Sequence, residues 1–284
     1  MLTFRDPRHE DAEPLGRICY DAFAAIAGAH NFPVDFPGPE HATGLMTAMI
    51  TNPGVWGVVA EEDGRILGSN FLDERNAVFA VGPITVDPKI QNKGVGRRLM
   101  QAALERTDER RAPGVRLLQA GYHTRSLSLY ASLGFDVREP IACMSGPAIA
   151  AGPPGIAARG ATQADEEACN QVCRRVHGHD RAGELSQAVA SGTAMVAERA
   201  GRITGYASHL AYFGHAVGET SDDIKALICA SGEVGAPGIL VPSRNSDLFR
   251  WCLDGGLRVT QTLTLMTRGL YNEPAGAWMP SVLC

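Results

Sequence analysis

The feature that most constrains this chain is a glycine-bearing loop that joins a predicted strand to a predicted helix. Residues 77–86 are rich in β-branched and aromatic side chains, which favours a strand. Apolar positions then recur at helical spacing from residue 94 to residue 111. The loop between them contains Gln91-Asn92-Lys93-Gly94-Val95-Gly96. The sequence therefore places a short, flexible loop directly at the start of a helix.

This loop suits an anionic ligand. The first amides of a helix have no intrahelical partner, and the helix dipole is positive at that end. Gly94 and Gly96 carry no Cβ, so a phosphate group can approach the main chain closely. Lys93, Arg97 and Arg98 add positive charge nearby. The spacing matches neither the P-loop nor the dinucleotide-binding motif, so a different class of phosphate site is indicated.

A second segment identifies that class. Residues 126–135 read SLSLYASLGF, which predicts a short helix that ends at a glycine and leads into a strand. Together with the loop motif Gln-x-x-Gly-x-Gly, this Leu-Tyr-x-x-x-Gly-Phe pattern resembles the GCN5-related N-acetyltransferase (GNAT) superfamily. The predicted order of elements over residues 1–146, β-α-α-β-β-β-α-β-α-β, agrees with the fold of that family.

The chain continues well beyond this first unit. Its 284 residues favour two domains. Residues 147–154 are rich in proline, alanine and glycine, as in a linker, and the order of elements restarts over residues 155–270. The predicted fold class is α/β (mixed α+β), with two tandem GNAT-like units. Each unit is expected to contain a mixed, mostly antiparallel sheet flanked by helices.

The resemblance implies that only the first unit, residues 1–146, binds acetyl-CoA. Residues 214–223 of the second unit lack the glycine motif and carry three acidic side chains, and Cys252 aligns with Tyr130. The unit at 155–270 is therefore interpreted as degenerate. Residues 271–284 are expected to form an extended arm whose Trp278 and Met279 require an apolar surface.

The same resemblance implies which residues hold the cofactor. The loop amides would anchor the pyrophosphate, and the main chain of residues 84–86 would hold the pantetheine arm and the acetyl carbonyl. Gly82 and Pro83 would supply a bulge that separates this strand from its neighbour. The residues expected to bind acetyl-CoA are Ile84, Thr85, Val86, Gln91, Asn92, Lys93, Gly94, Val95, Gly96, Arg97, His123 and Ser126. His123 stands where many relatives have an asparagine, which leaves its role open.

Tyr130 is the predicted general acid. A phenol has a pKa near that of a thiol, so it can hand a proton to the departing thiolate. The general base is left open, because Phe79, Ala80 and Val81 occupy the strand positions where many GNAT enzymes have a glutamate. The candidates are His30, Asp35, Glu40 and His41, followed by the weaker Glu61, Glu74 and His215.

Composition and charge restrict the possible binding partners and the expected cellular compartment. The formal net charge is −5 and the sequence contains no basic cluster, so nucleic acid is not expected as a partner. The first residues do not resemble a signal peptide, and no apolar run is long enough to span a membrane. The seven cysteines show no paired spacing, which favours the cytoplasm.

One cluster could in principle bind zinc. Cys169, Cys173 and His177 share one face of a predicted helix, with His179 nearby. A hydrophobic core face is the preferred interpretation, so no metal is expected.

The sequence thus predicts an acetyl-CoA-dependent N-acetyltransferase that transfers an acetyl group directly to a small-molecule amine in a ternary complex. The alternative is an acyl-CoA-binding regulatory or adaptor protein without turnover. Three questions are open at this point. They are the identity of the acceptor amine, the choice between acetyl-CoA and another acyl-CoA as donor, and whether two copies of the chain form a homodimer.

Overall fold

The computed structural model describes residues 1–91 and 93–283. The elements of the N-terminal half are, in chain order, β1 (Leu2–Arg5), α1 (Ala12–Ala29), α2 (Pro39–Thr51), β2 (Val55–Glu62), β3 (Arg65–Asp73), β4 (Phe79–Val81), β5 (Thr85–Val86), α3 (Val95–Glu109), β6 (Gly114–Ala120), α4 (Thr124–Ser132) and β7 (Asp136–Gly146). This is the predicted order of elements, with most boundaries within a few residues of those expected.

The C-terminal half repeats the pattern of the N-terminal half. They are β8 (Ile156–Gly160), α5 (Glu166–His177), α6 (Ala182–Ala190), β9 (Met195–Arg199), β10 (Arg202–Ala207), β11 (Ala216–Gly218), α7 (Ser221–Ser231), β12 (Val234–Pro242), α8 (Ser246–Asp254), β13 (Arg258–Gly269) and β14 (Ala277–Met279). The mixed α/β class and the two related units agree with the prediction.

The strand predicted over residues 77–86 is interrupted, and this interruption creates the site. β4 pairs in parallel with β6, through Phe79 and Val115. β5 instead pairs with β3, where Val86 lies opposite Gly68. Between β4 and β5 lies Pro83, which has no amide hydrogen to donate to a ladder. The sheet therefore opens between β5 and the end of β6, as the predicted bulge requires.

The sheets do not follow the boundary between the two halves of the chain. β13, from the C-terminal half, lies between β6 and β7 of the N-terminal half and is antiparallel to both. β12 then pairs with the outer edge of β7. The resulting nine-stranded sheet has the order β1-β2-β3-β4-β6-β13-β7-β12, with β5 paired to β3. The predicted units at 1–146 and 155–270 thus share one sheet, which sequence periodicity alone does not reveal.

The C-terminal arm forms part of the second sheet, which has the order β14-β11-β10-β9-β8. β14 pairs antiparallel with β11, so that Trp278 lies opposite Val217. Trp278 and Met279 are only 6% and 2% exposed. The apolar surface that these two side chains were expected to require is therefore provided by the second unit.

A buried polar cluster joins the two halves. His177 Nε2 lies 3.3 Å from His215 Nε2, and Arg116 of β6 donates from Nη2 to His179 Nε2 over 3.0 Å. Because arginine cannot accept a hydrogen bond, His179 carries its proton on Nδ1, which lies 3.2 Å from the carbonyl oxygen of Asp180. Nearby, Arg181 pairs with the buried Glu184. The three imidazoles are therefore held neutral beside two arginines.

We expect this histidine cluster to make folding stability fall in mild acid. Burial and the neighbouring arginines lower the pKa of His179 to about 4 and hold those of His177 and His215 well below 6.5. The unfolded chain therefore binds protons first as the pH falls below the ordinary histidine pKa, which favours unfolding. Each imidazole that stays neutral should cost about 1.4 kcal/mol at one pH unit below that value.

Urea unfolding at pH 7.5 and pH 5.5 measures this effect. His179→Gln removes one titrating group and should reduce the difference in unfolding free energy between the two pH values. His209→Gln, at an exposed position, is the matched control and should leave that difference unchanged. Equal stability of the native chain at both pH values would contradict the argument.

Candidate active site

The opening between β5 and β6 leads into a cavity of about 1020 Å³. Most of the residues predicted to bind the cofactor line it, together with Tyr130; they are Ile84, Thr85, Val86, Gln91, Gly94, Val95, Gly96, Arg97, His123 and Ser126. Lys93 is exposed and does not line the cavity. Asn92 lies outside the described residues. Two motifs that are distant in sequence therefore meet at one concave site.

The glycine loop is shaped to present main-chain amides. Gly94 is the N-cap of α3 and has a φ of +82°, a left-handed conformation that a residue without Cβ adopts easily. Val95, the first helical residue, is buried and anchors the helix start in the core. Gln91 Nε2 donates to the carbonyl oxygen of Val86, and Arg125 Nη2 donates to Gln91 Oε1. These bonds fix the loop between β5 and α4.

Positive charge surrounds this end of the cavity. Arg97 lines the cavity and donates from Nη2 to Ser132 Oγ over 2.7 Å. Arg125 also lines the cavity. Arg98 instead places its guanidinium 4.5 Å from the ring centroid of Phe4, outside the cavity lining. The helix start and two arginines therefore form an anion-binding end.

Tyr130 lies on α4 and is only 7% exposed. Its ring centroid is 6.2 Å from that of Phe135 in an edge-to-face arrangement, and its carbonyl accepts from the Phe135 amide. Gly134 and Phe135 of the sequence motif thus form the turn after α4 that holds Tyr130 in place. Burial raises the pKa of Tyr130 well above 10, so the hydroxyl stays protonated at neutral pH. This is the state that a proton donor requires.

His123 and Ser126 lie at the start of α4. Burial, Arg125 and His30 lower the pKa of His123 to about 4, so the imidazole is neutral. Its Nε2 is buried without a hydrogen-bond partner among the described residues. Ser126 Oγ lies 2.8 Å from the carbonyl oxygen of His123 and 3.0 Å from Gln119 Oε1. His123 can therefore donate or accept toward the cavity, whereas the serine hydroxyl is engaged within the protein.

Most candidates for the general base lie away from the cavity. Glu61 pairs with Arg5, and Glu74 pairs with Arg106. His215 belongs to the buried histidine cluster. Glu40 and His41 are exposed and 3.1 Å apart, and only His41 lines the cavity rim. His30 does not line the cavity; its Nδ1 lies 3.0 Å from the carbonyl oxygen of Ile26.

Asp35 is the candidate that lies inside the cavity. It follows α1 in a loop that also contains Phe32 and Phe36. Phe32 stacks on Tyr122 with ring centroids 4.1 Å apart, and Phe36 meets Phe23 edge-on at 5.8 Å. These aromatic contacts hold the loop over the cavity.

The C-terminal half of the chain also lines the cavity, at the end where Asp35 lies. The residues that it contributes are Tyr212, Phe213, Ala236, Pro237, Gln261, Leu263, Val282 and Leu283. They come from the β10–β11 connection, from β12, from the exchanged strand β13 and from the arm, so the first motif alone could not have predicted them. Tyr122 also lines the cavity, and the sequence could have indicated it, because it directly precedes the predicted site residue His123.

The corresponding opening in the C-terminal half is occupied. β11 is the counterpart of β5, since each pairs with the second strand of a hairpin and precedes a helix. β14 pairs with the free edge of β11. At the start of α7, Asp223 accepts from the Thr220 amide, and Glu219 pairs with Arg202. The chain's own strand therefore occupies the edge of β11, and carboxylates lie at the start of α7.

The zinc alternative is not supported by the surroundings of the two cysteines. Cys169 and Cys173 pack in a hydrophobic core cluster, and burial raises their pKa values to about 12 and about 11. Among residues 1–91 and 93–283, no group of three or more His, Cys, Asp or Glu side chains is arranged to hold a metal ion. No helix in the same ranges is long and apolar enough to cross a membrane.

Comparison with known proteins agrees with this geometry. Residues 53–137 match the family model described as the acetyltransferase (GNAT) domain. The chain contains a GNAT domain. This match runs from the β2–β3 hairpin to the start of β7, and therefore includes both the glycine loop and the motif that contains Tyr130. No curated protein matches the sequence.

Solved structures extend the similarity of this GNAT-containing chain over almost its whole length. A presumed acetyltransferase from Pyrococcus horikoshii has a TM-score of 0.74 and 16% identity, covering 97% of this chain and 94% of that one. A GCN5-related N-acetyltransferase from Sphaerobacter thermophilus has a TM-score of 0.62 and 17% identity, covering 96% of each chain. At these identities the likeness shows the fold, including the arrangement of both halves.

Proposed function

We propose that this protein transfers an acetyl group from acetyl-CoA directly to the amine of a small molecule. The observation that carries the proposal is the single cavity in which the opened sheet, the helix start at Gly94 and the hydroxyl-bearing Tyr130 meet. A GNAT domain supplies the acetyltransferase class. The choice of an amine as acceptor rests on the chemistry of the cavity and is tested below.

The cavity offers a separate position for each part of the cofactor. The edge of β5 that faces away from β3 offers main-chain groups to the amides of the pantetheine arm. The start of α3, with Arg97 and Arg125 beside it, suits the pyrophosphate. Ile84 and Val86 then lie beside the acetyl group, which acetyl-CoA supplies as an activated thioester.

The residues of the chain can account for the proton transfers. Main-chain amides at the opening polarise the acetyl carbonyl while the amine nitrogen attacks its carbon. As the new C–N bond forms and the C–S bond breaks, Tyr130 gives its proton to the sulfur. Before the attack, a base in the cavity removes one proton from the original ammonium, because only the neutral amine has a free lone pair. After the attack, the tyrosinate recovers a proton from the nitrogen.

Thiol release from acetyl-CoA in the presence of an amine panel tests this proposal. We expect amine-dependent release of one thiol for each amide formed. Binding of acetyl-CoA without release across the whole panel would instead support the alternative, a regulatory or adaptor protein. Failure to bind acetyl-CoA would overturn both.

We expect one acetyl-CoA site per chain, and Gly96→Leu should weaken binding at that site. A Cβ at Gly96 would meet only Val86 Cγ2, at 3.7 Å, so the variant should fold, while the longer side chain obstructs the phosphate position. Loss of two charge-assisted hydrogen bonds corresponds to about 100-fold weaker binding. Gly44→Leu, at an exposed helical position with open space around it, is the matched control. Calorimetry reports affinity and stoichiometry together, and two sites per chain would contradict the proposal.

A further inference from the structure

The cavity has two ends of opposite character. Arg97, Arg125 and the start of α3 make one end positive, as the cofactor phosphates require. Asp35 lies among the aromatic and aliphatic side chains of the other end. Among the described residues that line the cavity, Asp35 is the one acidic side chain. A single negative charge therefore faces the space that remains for the acceptor.

One oxygen of the Asp35 carboxyl group has no partner within the described part of the protein. This oxygen, Oδ2, is buried. Burial raises the pKa of Asp35, and the neighbouring Gln261 side chain partly offsets this rise. Burial, together with the nearby Asp35 carboxyl group, raises the pKa of Tyr122 to about 12. A buried carboxylate oxygen without a partner is costly unless a ligand brings a hydrogen-bond donor, and a cationic donor satisfies it best.

The side chains around Asp35 indicate what kind of molecule would carry the cationic group. Phe23 and Phe36 line the cavity in contact with each other, and Leu283 and Tyr212 close it from the C-terminal half. This end presents apolar and aromatic surface, on which an aromatic or aliphatic body packs favourably.

Among the described residues, the same end of the cavity offers no partner for an anionic acceptor. His123 is neutral, and His41 lies at the exposed rim, where it pairs with Glu40. Both arginines of the lining belong to the cofactor end. A carboxylate on the acceptor would therefore lose its hydration without gaining a cation.

We propose that Asp35 binds the ammonium group of the acceptor, and that the acceptor is a primary amine on an apolar, preferably aromatic, body without a carboxylate. This proposal rests on the proposed function and names the substrate class of the same cavity. Asp35 thereby sets specificity, because it holds the amine nitrogen and rejects acceptors that lack a positive charge.

Calorimetry on the full chain saturated with coenzyme A tests the recognition without requiring turnover. The probes are 2-phenylethylamine, L-phenylalanine, which adds a carboxylate, and 2-phenylethanol, which removes the charge. We expect 2-phenylethylamine to bind at least about 10-fold more tightly than either of the others, the scale of a hydrogen bond to a charged group. Asp35→Asn should abolish this preference, and Glu40→Gln, an exposed carboxylate close by, should preserve it.

Two control measurements on Asp35→Asn, its coenzyme A affinity and its thermal unfolding, distinguish a loss of amine recognition from a loss of the fold or of the cofactor site. Native coenzyme A affinity and an unchanged melting temperature would assign a lost preference to Asp35 itself. Equal or tighter binding of L-phenylalanine by the native chain would overturn the inference while leaving the acetyltransferase proposal intact. Retention of the amine preference in Asp35→Asn would overturn it as well. Failure of the native chain to bind coenzyme A would contradict the proposed function instead.

Discussion

Tyr130→Phe is expected to reduce turnover by about 100-fold or more, the usual scale for a positioned proton donor. The affinity for acetyl-CoA should stay within a few-fold of the native value. The substitution removes one hydroxyl and keeps the ring that packs against Phe135, so the fold of α4 is preserved. The departing thiolate then receives its proton from water, and the C–S bond breaks more slowly.

Thiol release and calorimetry on the same preparation distinguish this role from a structural one. Tyr20→Phe is the matched control, since Tyr20 packs against the core beneath α1 and does not line the cavity. If Tyr130→Phe lost cofactor binding together with turnover, the tyrosine would be a positioning residue for the cofactor. Native turnover in Tyr130→Phe would place the acid elsewhere in the cavity.

The cofactor end of this site was predictable because its chemistry is local in sequence. The loop from Gln91 to Gly96 acts through its main chain and through a helix that begins within it, so residue types and spacing specify it directly. The tyrosine motif is equally local, because Gly134 and Phe135 fix the turn beside Tyr130. The interruption at Pro83 was also readable, since proline cannot continue a ladder.

The acceptor end could not be predicted in the same way. Asp35 was one of several polar residues in a loop, and its importance depends on burial and on side chains that arrive from the C-terminal half. Gln261 and Leu283 reach the cavity only because β13 and the arm cross between the units. Alternation along a strand predicts which face is buried, but it does not specify the strand's neighbour. The exchanged pairing therefore became visible only in three dimensions.

This exchange leads to the second large effect: a fragment of residues 1–146 expressed alone should not fold. β13 supplies seven paired residues to β6 and lies against the whole of β7. Without it, both strands lose a neighbour in the middle of the sheet. Leu263, Leu265 and Met266, which are at most 4% exposed, would also be missing from the core. Removing several buried side chains at once exceeds the marginal stability of a typical domain.

The matched control keeps every residue and breaks only the chain. A protease site inserted between Ala151 and Gly152, both exposed in the linker, allows the folded protein to be cut after purification. The two pieces should then co-elute in size exclusion and retain acetyl-CoA binding, because the interleaved strands β7 and β13 hold them together. The fragment 1–146 should instead aggregate or show no cooperative unfolding transition. A soluble 1–146 fragment that unfolds cooperatively and binds acetyl-CoA would show that the exchanged strand is dispensable for the first unit.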